Sequence, residues 1–476
     1  RFVEPNGTVR RLAAPDDPGF PLQWGLLNRG QAVGGVAGAA GADIGAAAAW
    51  DLATGSPSVR VAVLDGGVDR TVPDLAPNSP AATNAQESGD GRESNGVDDD
   101  GNGLVDDVAG WDWVDDDNDP HDLDAISHGT HVASVIAARG DDGQGVAGVA
   151  WSASIIPLRV LNAFGSGSVA DVVEGLAYAG EQGARVVNVS LGGQVSGQTM
   201  QAAIDASPNT LFVVAAGNSA VDNDGPNASM PCAVPSANVV CVAATDQSDA
   251  LASFSNVGAT TVDLAAPGVN VLGTARGGGV QLLDGTSFSA PHVAGVAALI
   301  LARNPTASSA QVKAAILDGA TPLAPLAGTT VTGARLSAPG ALASVPPPGI
   351  APSVSASSAE TVGPRSAVLR ATIGPDGSAT TYHVEWGTDT DYGNQSTVRG
   401  VDDPTSPAAV VETIGGLRPE TTYHARVVAT DVDGVTPGPD LTFTTPAAEP
   451  GSPPAGPPPQ GPSGGPGTAP DLPAEA

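Results

Sequence analysis

Cysteine is nearly absent from this chain of 476 residues, which holds only Cys232 and Cys241. With no Cys-x-x-Cys and no further thiol ligand, a disulfide-dense scaffold and a thiolate metal cluster are both excluded. Positive charge is scarce as well: 19 Lys and Arg face 51 Asp and Glu, for a net charge of −32. That balance argues against nucleic acid or anionic lipid as partner and is compatible with divalent cations. Lys313 is the only lysine, a bias without mechanistic content. No uninterrupted apolar run approaches the length of a membrane span, and residues 1–14 contain no apolar core of a secretory signal. His128 and His131 lie three apart but lack the Glu of a His-Glu-x-x-His zinc motif, so His131, like His292, reads as a packed core histidine. What is present is 41% hydrophobic residues on a chain long enough for more than one domain and a large core.

Three stretches carry chemistry. Gly285, Thr286, Ser287, Phe288, Ser289, Ala290 and Pro291 form a small-residue turn that opens into the apolar run 293–301. Ser287 then lies in a helix's first turn, where free N–H groups and the positive dipole end favour negative charge. Attack by a hydroxyl on a carbonyl creates an oxyanion, and amide donors beside the nucleophile stabilise it. The short β-branched run 59–64 ends at Asp65, Gly66 and Gly67, as a buried parallel strand delivering a carboxylate to its C-terminal end. His128 precedes a helical pattern that runs to Ala138. A serine nucleophile needs a base, and the base an orienting acid.

The order Asp65, His128, Ser287 is the one for which subtilisin is the reference case. Together with VAVLDGGVD, SHGTHVAS, VVNVSLGG, VVAAGN and DGTSFSAPHVAG in sequence, it resembles the subtilisin-like serine proteases (subtilases, peptidase S8), over residues 16–344. The opening 17–26 is similar to their thermitase-like branch. The resemblance implies an α/β fold with a doubly wound, mostly parallel sheet and helices on both faces. It implies a secreted, monomeric endopeptidase acting on protein or peptide substrates, with Asp65, His128 and Ser287 as triad. By the same resemblance Asn218, delivered by the strand 211–216, donates to the oxyanion, and Ser190, Leu191 and Gly192, with Gly217, form the edge that pairs with substrate backbone. Cys232 and Cys241 then fit a single disulfide of an exported protein.

Calcium is the implied structural cofactor. Asp17, Asp74 and Asp142 match the family's ion-binding positions, with the loop 140–146 wrapping the ion. In the acidic insert 90–124, Asp98, Asp100, Asn102, Gly103 and Asp106 reproduce positions of an EF-hand-type loop, although Gly110 stands where its twelfth-position Glu belongs. A second calcium site is expected there.

Residues 1–14 resemble the end of a propeptide that acts as inhibitor and chaperone, with Phe2, Val3, Glu4, Pro5 and Asn6 as the remnant. The catalytic domain is expected over residues 15–345 and a Pro-rich linker over 346–350. Over 351–446 short alternating strands predict a small all-β sandwich, in which Leu417, Pro419, Thr421 and Tyr423 resemble the fibronectin type III signature. Tyr423 is its candidate tyrosine-corner residue and Trp386 its expected core. Residues 447–476, rich in Pro, Gly and Ala, read as a disordered tail.

Overall fold

The computed structural model describes residues 14–345, 351–375, 379–401, 403, 406–431 and 434–448. The propeptide remnant except Ala14, the linker and all but the start of the tail lie outside the described residues. The chain divides into two compact units, Arg1–Pro347 and Pro348–Ala476.

The first unit is built on one sheet. In chain order its strands are β1 (Arg60–Asp65), β2 (Trp111–Asp112), β3 (Ser154–Arg159), β4 (Val186–Val189), β5 (Leu211–Ala215), β6 (Val239–Thr245) and β7 (Leu264–Pro267). After the hairpin β8 (Val271–Thr274) and β9 (Val280–Leu283), the short β10 (Thr321–Pro322) and β11 (Ala334–Arg335) complete it. Spatial order is β10-β11-β7-β6-β5-β4-β1-β3-β2, parallel throughout except where β10 runs against β11. Alternate residues of β1 feed opposite cores: Val61 and Val63 join one cluster, Ala62 and Leu64 the other. A strand buried on both faces cannot alternate apolar with polar, which is why β1 reads as an unbroken apolar run.

Helices cover both faces. Helix α1 (His128–Ala137) and the later α4 (Thr286–Arg303), α5 (Ser309–Asp318) and α6 (Ala338–Ser344) pack into one cluster, while α2 (Val169–Glu181) and α3 (Gln198–Asp205) pack into the other. The connection from β1 to β3 runs through α1, and that from β3 to β4 through α2 on the opposite face. The winding therefore reverses at β1, and Asp65 at its C-terminal end sits at the switch point where open α/β sheets gather their ligand groups. Cys232 and Cys241 form a disulfide that ties the segment after Met230 to β6. Lys313 on α5 is used internally, with its Nζ 3.2 Å from Asp263 and donating to the Val239 carbonyl.

Before β1 the chain makes the single helical turn Ala46–Ala49, entered through Gly45 in a left-handed conformation (φ 70°), which interrupts any helical path from Ile44. In the second unit, the three-stranded sheet of Ser353–Glu360, Ser366–Gly374 and Ala408–Gly415 and a sheet centred on Thr381–Gly387 and Thr422–Thr430 enclose one core. The Arg418 N–H donates to the Tyr423 hydroxyl at 2.9 Å, which is the tyrosine-corner contact. Trp386 only packs half-buried against this core, because it lies one residue from its strand's end; Tyr382, Val384, Tyr423 and Val427 fill the interior instead.

Candidate active site

Asp65 ends β1 fully buried, and one of its oxygens accepts from the Gly66 N–H at 2.7 Å. His128 opens α1 with Nδ1 2.8 and 3.0 Å from the two Asp65 oxygens. A carboxylate is an acceptor only, so Nδ1 carries the proton and Nε2 is left with its lone pair. Burial lowers the His128 pKa, and the Asp65 carboxylate, with Asp124 and Asp122 behind it, more than offsets this, leaving it above the ordinary imidazole value. Two deeper histidines behave otherwise: burial pulls His131 down to about 3 and His292 to about 4, so both are neutral packing groups. Phe288 lies against both His128 and His131, with ring centroids 5.2 and 4.6 Å away.

Ser287 stands in the first turn of α4, after Gly285 at φ 153°. Its Oγ donates to the Ser190 carbonyl at 3.1 Å, and Ser190 Oγ donates back to the Ser287 carbonyl at 2.7 Å. Ser287 makes no hydrogen bond with His128 here; such contacts commonly tighten only with substrate in place. The Ser287 N–H has no protein acceptor among the described residues. Asn218 is exposed at the end of β5, and its Oδ1 accepts from both the N–H and the hydroxyl of Thr286 at 2.9 Å. This fixes the amide and leaves Nδ2 without a protein acceptor among the described residues.

His128, Ser190, Leu191 and Gly192 line one cavity of about 650 Å³, whose walls include Leu161, Val172, Met200 and Met230. Leu191 and Gly192 make no backbone hydrogen bond among the described residues, while Gly193 pairs with Met230 in both directions at 3.0 and 2.9 Å. The segment is thus a short free edge stopped by a bridge. Gly217, with φ 105°, abuts Asn218 instead of lining the cavity.

The acidic positions separate into two groups. Asp17 and Asp74 are buried, and burial raises both pKa values ahead of repulsion from Asp142 nearby. Asp17 Oδ2 accepts from the Asp141 N–H at 2.7 Å, but its buried Oδ1 has no partner. Gly145 packs so close to Asp74 that a Cβ there would lie 2.1 Å from the carboxylate. One orphaned buried carboxylate oxygen beside a tight loop fits a hard cation.

In the insert the EF-hand spacing does not select the convergent set. Asp98 spends its oxygens on the N–H groups of Gly101, Asn102 and Gly103, and Asp106 on that of Gly96. Oxygens of Glu87, Asp100 and Asp107 instead come within 4.8 Å of one another. Asn84 and Asn102 bridge Asp100 and Asp107. Glu87 is fully buried with Oε2 unpartnered, and burial raises the Asp107 pKa. Of the expected residues only Asp100 and Asn102 belong to this cluster.

Residues 56–338 match the subtilase family, which covers more than half of the chain, and the protein belongs to that family. It is 39% identical over 254 residues to the thermophilic serine proteinase of Bacillus sp. (strain AK1), covering 53% of this chain and 54% of that relative. Thermitase of Thermoactinomyces vulgaris is 38% identical over 270 residues, covering 56% of this chain and 82% of thermitase. Among solved structures, a protease from Pseudoalteromonas arctica PAMC 21717 superposes with a TM-score of 0.54 at 28% identity, covering 70% of this chain and all of that one.

Proposed function

We propose that the protein is a secreted serine endopeptidase that hydrolyses extended polypeptides, with Asp65, His128 and Ser287 as triad and Asn218 as oxyanion donor. The observation that carries this reading is the Asp65–His128 pair opening on a cleft along whose free edge Ser287 is hydrogen-bonded to Ser190. Substrate backbone adds to the Ser190, Leu191 and Gly192 edge as a strand, and the apolar walls take a bulky apolar side chain. Rotation of Ser287 Oγ off the Ser190 carbonyl brings it to His128 Nε2. His128 takes the proton as Oγ attacks the scissile carbonyl, and Asp65 stabilises the imidazolium. The Ser287 N–H and Asn218 Nδ2 stabilise the oxyanion. His128 then protonates the leaving amine, and water repeats the sequence on the acyl-enzyme.

Calcium serves structure and not a chemical step. Asp17, Asp74 and Asp142 with their loop would hold one ion, and Glu87, Asp100 and Asp107 with Asn84 and Asn102 a second, each neutralising carboxylates buried without a counter-charge. The disulfide supports export. We read the protein as monomeric and made with a propeptide as inhibitor and chaperone, and the second unit as a fibronectin type III-like module without chemistry.

A fluorophosphonate probe tests the central reading. Labelling of the native protein is expected, with loss in Ser287→Ala. Labelling that survives Ser287→Ala sinks it by placing the nucleophile elsewhere, and no labelling of the calcium-loaded native protein sinks it in favour of a calcium-stabilised peptide-binding protein.

A further inference from the structure

The loop that presents Asn218 is irregular, yet one side chain on another segment grips it on both sides. Asn256 is 2% exposed. Its Oδ1 accepts from the N–H groups of Ser219 at 3.0 Å and Val221 at 3.2 Å, and its Nδ2 donates to the Ala216 carbonyl at 3.0 Å and to Asn223 Oδ1 at 3.2 Å. A primary amide offers two donor hydrogens and two acceptor lone pairs, and all four are used. Because backbone N–H groups can only donate, the amide's orientation is fixed by its partners. The Asn256 main-chain N–H also donates to the Gly217 carbonyl at 2.9 Å. Residues immediately before and after Asn218 thus hang on a single residue.

The fit leaves no slack. A Cβ at Gly217 would lie 2.5 Å from Asn256 Nδ2. Asn223, equally buried, extends the grip: its Nδ2 donates to the Ala216 carbonyl at 2.9 Å and to Cys232 Sγ at 3.2 Å, while its Oδ1 accepts from the Ser229 N–H at 3.1 Å. The loop is thereby tied to the disulfide-bonded segment. A fully satisfied buried amide network holds its members in one arrangement. An oxyanion donor works only if it is already in place when charge develops, and a misplacement of about 1 Å costs on the order of 100-fold.

We propose that Asn256 is a positioning residue for the reaction: it touches no reacting atom and acts by fixing where Asn218 Nδ2 stands, with Asn223 anchoring the same loop. This rests on the proposed role of Asn218.

The test is a double-mutant cycle on the full chain with calcium, using a chromogenic peptide. Asn256→Asp keeps the acceptor bonds from Ser219 and Val221 but sets a carboxylate oxygen against the Ala216 carbonyl and Asn223 Oδ1; Asn256→Ala removes all four bonds. In the native background each should lower kcat about 10- to 100-fold with KM within about twofold. In the Asn218→Ala background the same changes should cost less than about threefold, because the group they misplace is gone. Equal cost in both backgrounds, or a loss confined to KM, overturns the proposal. If Asn256→Ala does not fold, Asn256→Ser takes its place in the cycle. Peptide hydrolysis by the native protein and its loss in Ser287→Ala are the separate control: without them the triad reading fails, whereas additive costs with native activity intact remove the role of Asn256 alone.

Discussion

The loop around Asn218 and the acidic insert both bury polar groups, and they satisfy them in opposite ways. Around Asn218 the buried amides meet protein partners: Asn256 holds backbone groups and Asn223, and Asn223 holds the Ala216 carbonyl and the Ser229 N–H, while Thr286 fixes the exposed Asn218. At the insert, Asp100 and Asp107 crowd Glu87 from just before it, and Glu87 keeps an oxygen with no partner among the described residues. Groups satisfied by the chain itself are in place whatever the solvent holds. Carboxylates that face each other depend on an ion from outside to cancel their repulsion. One region should therefore fail by losing rate and the other by losing stability.

The largest effect should come from the first region. Asn218→Ala is expected to lower kcat by about 10²–10³, the range measured for one such donor in a relative, with KM little changed. Steady-state kinetics on a peptide checks it, and an equally large drop in melting temperature would erase the contrast between the regions.

The second region should answer to calcium. Chelation is expected to lower the thermal midpoint by roughly 5–10 °C, as for an ion held at about 100 times its Kd. Glu87→Gln sharpens this through a change of sign: with calcium it should melt below the native protein, and in chelator at or above it, since one of three crowded charges is gone. A variant that melts lower in both conditions would mean that Glu87 acts through packing and not through an ion.

The smallest expected effect is on pH dependence. The Asp65 carboxylate holds the His128 pKa above its ordinary value of about 6.5, and the base works only when neutral. The acid limb of kcat/KM should thus lie above about pH 6.5. Asp65→Asn removes the largest charge opposing burial and leaves only Asp124 and Asp122 against it, so the limb should move to lower pH as the rate falls. A limb that does not move would place another group in control.

Much of this was readable from the chain. Asp65 ends a buried strand at Gly66 and Gly67, and His128 and Ser287 each open a helix after a turn, and such junctions leave a local signature. The β1 run betrayed its burial because both faces needed apolar side chains. The insert was less legible: Asp98, Asp99 and Asp100, like Asp106 and Asp107, are neighbours of one chemistry, and only the folded loop decides which points inward. Glu87 lies outside the motif and was missed. Asn256 left no signal either, because its partners are backbone groups more than thirty residues away, and an Asn after a Ser reads as an ordinary turn. Trp386 was overrated because a large aromatic in a strand need not lie near its middle.

The solitary Lys313 has a practical corollary. Its amine is engaged by Asp263 and the Val239 carbonyl while the side chain stays 22% exposed, so an acylating reagent has only that local contact to break. Side-chain acylation, followed as one added mass on one peptide, would then gauge the hold of Asp263 on the amine without any engineered label.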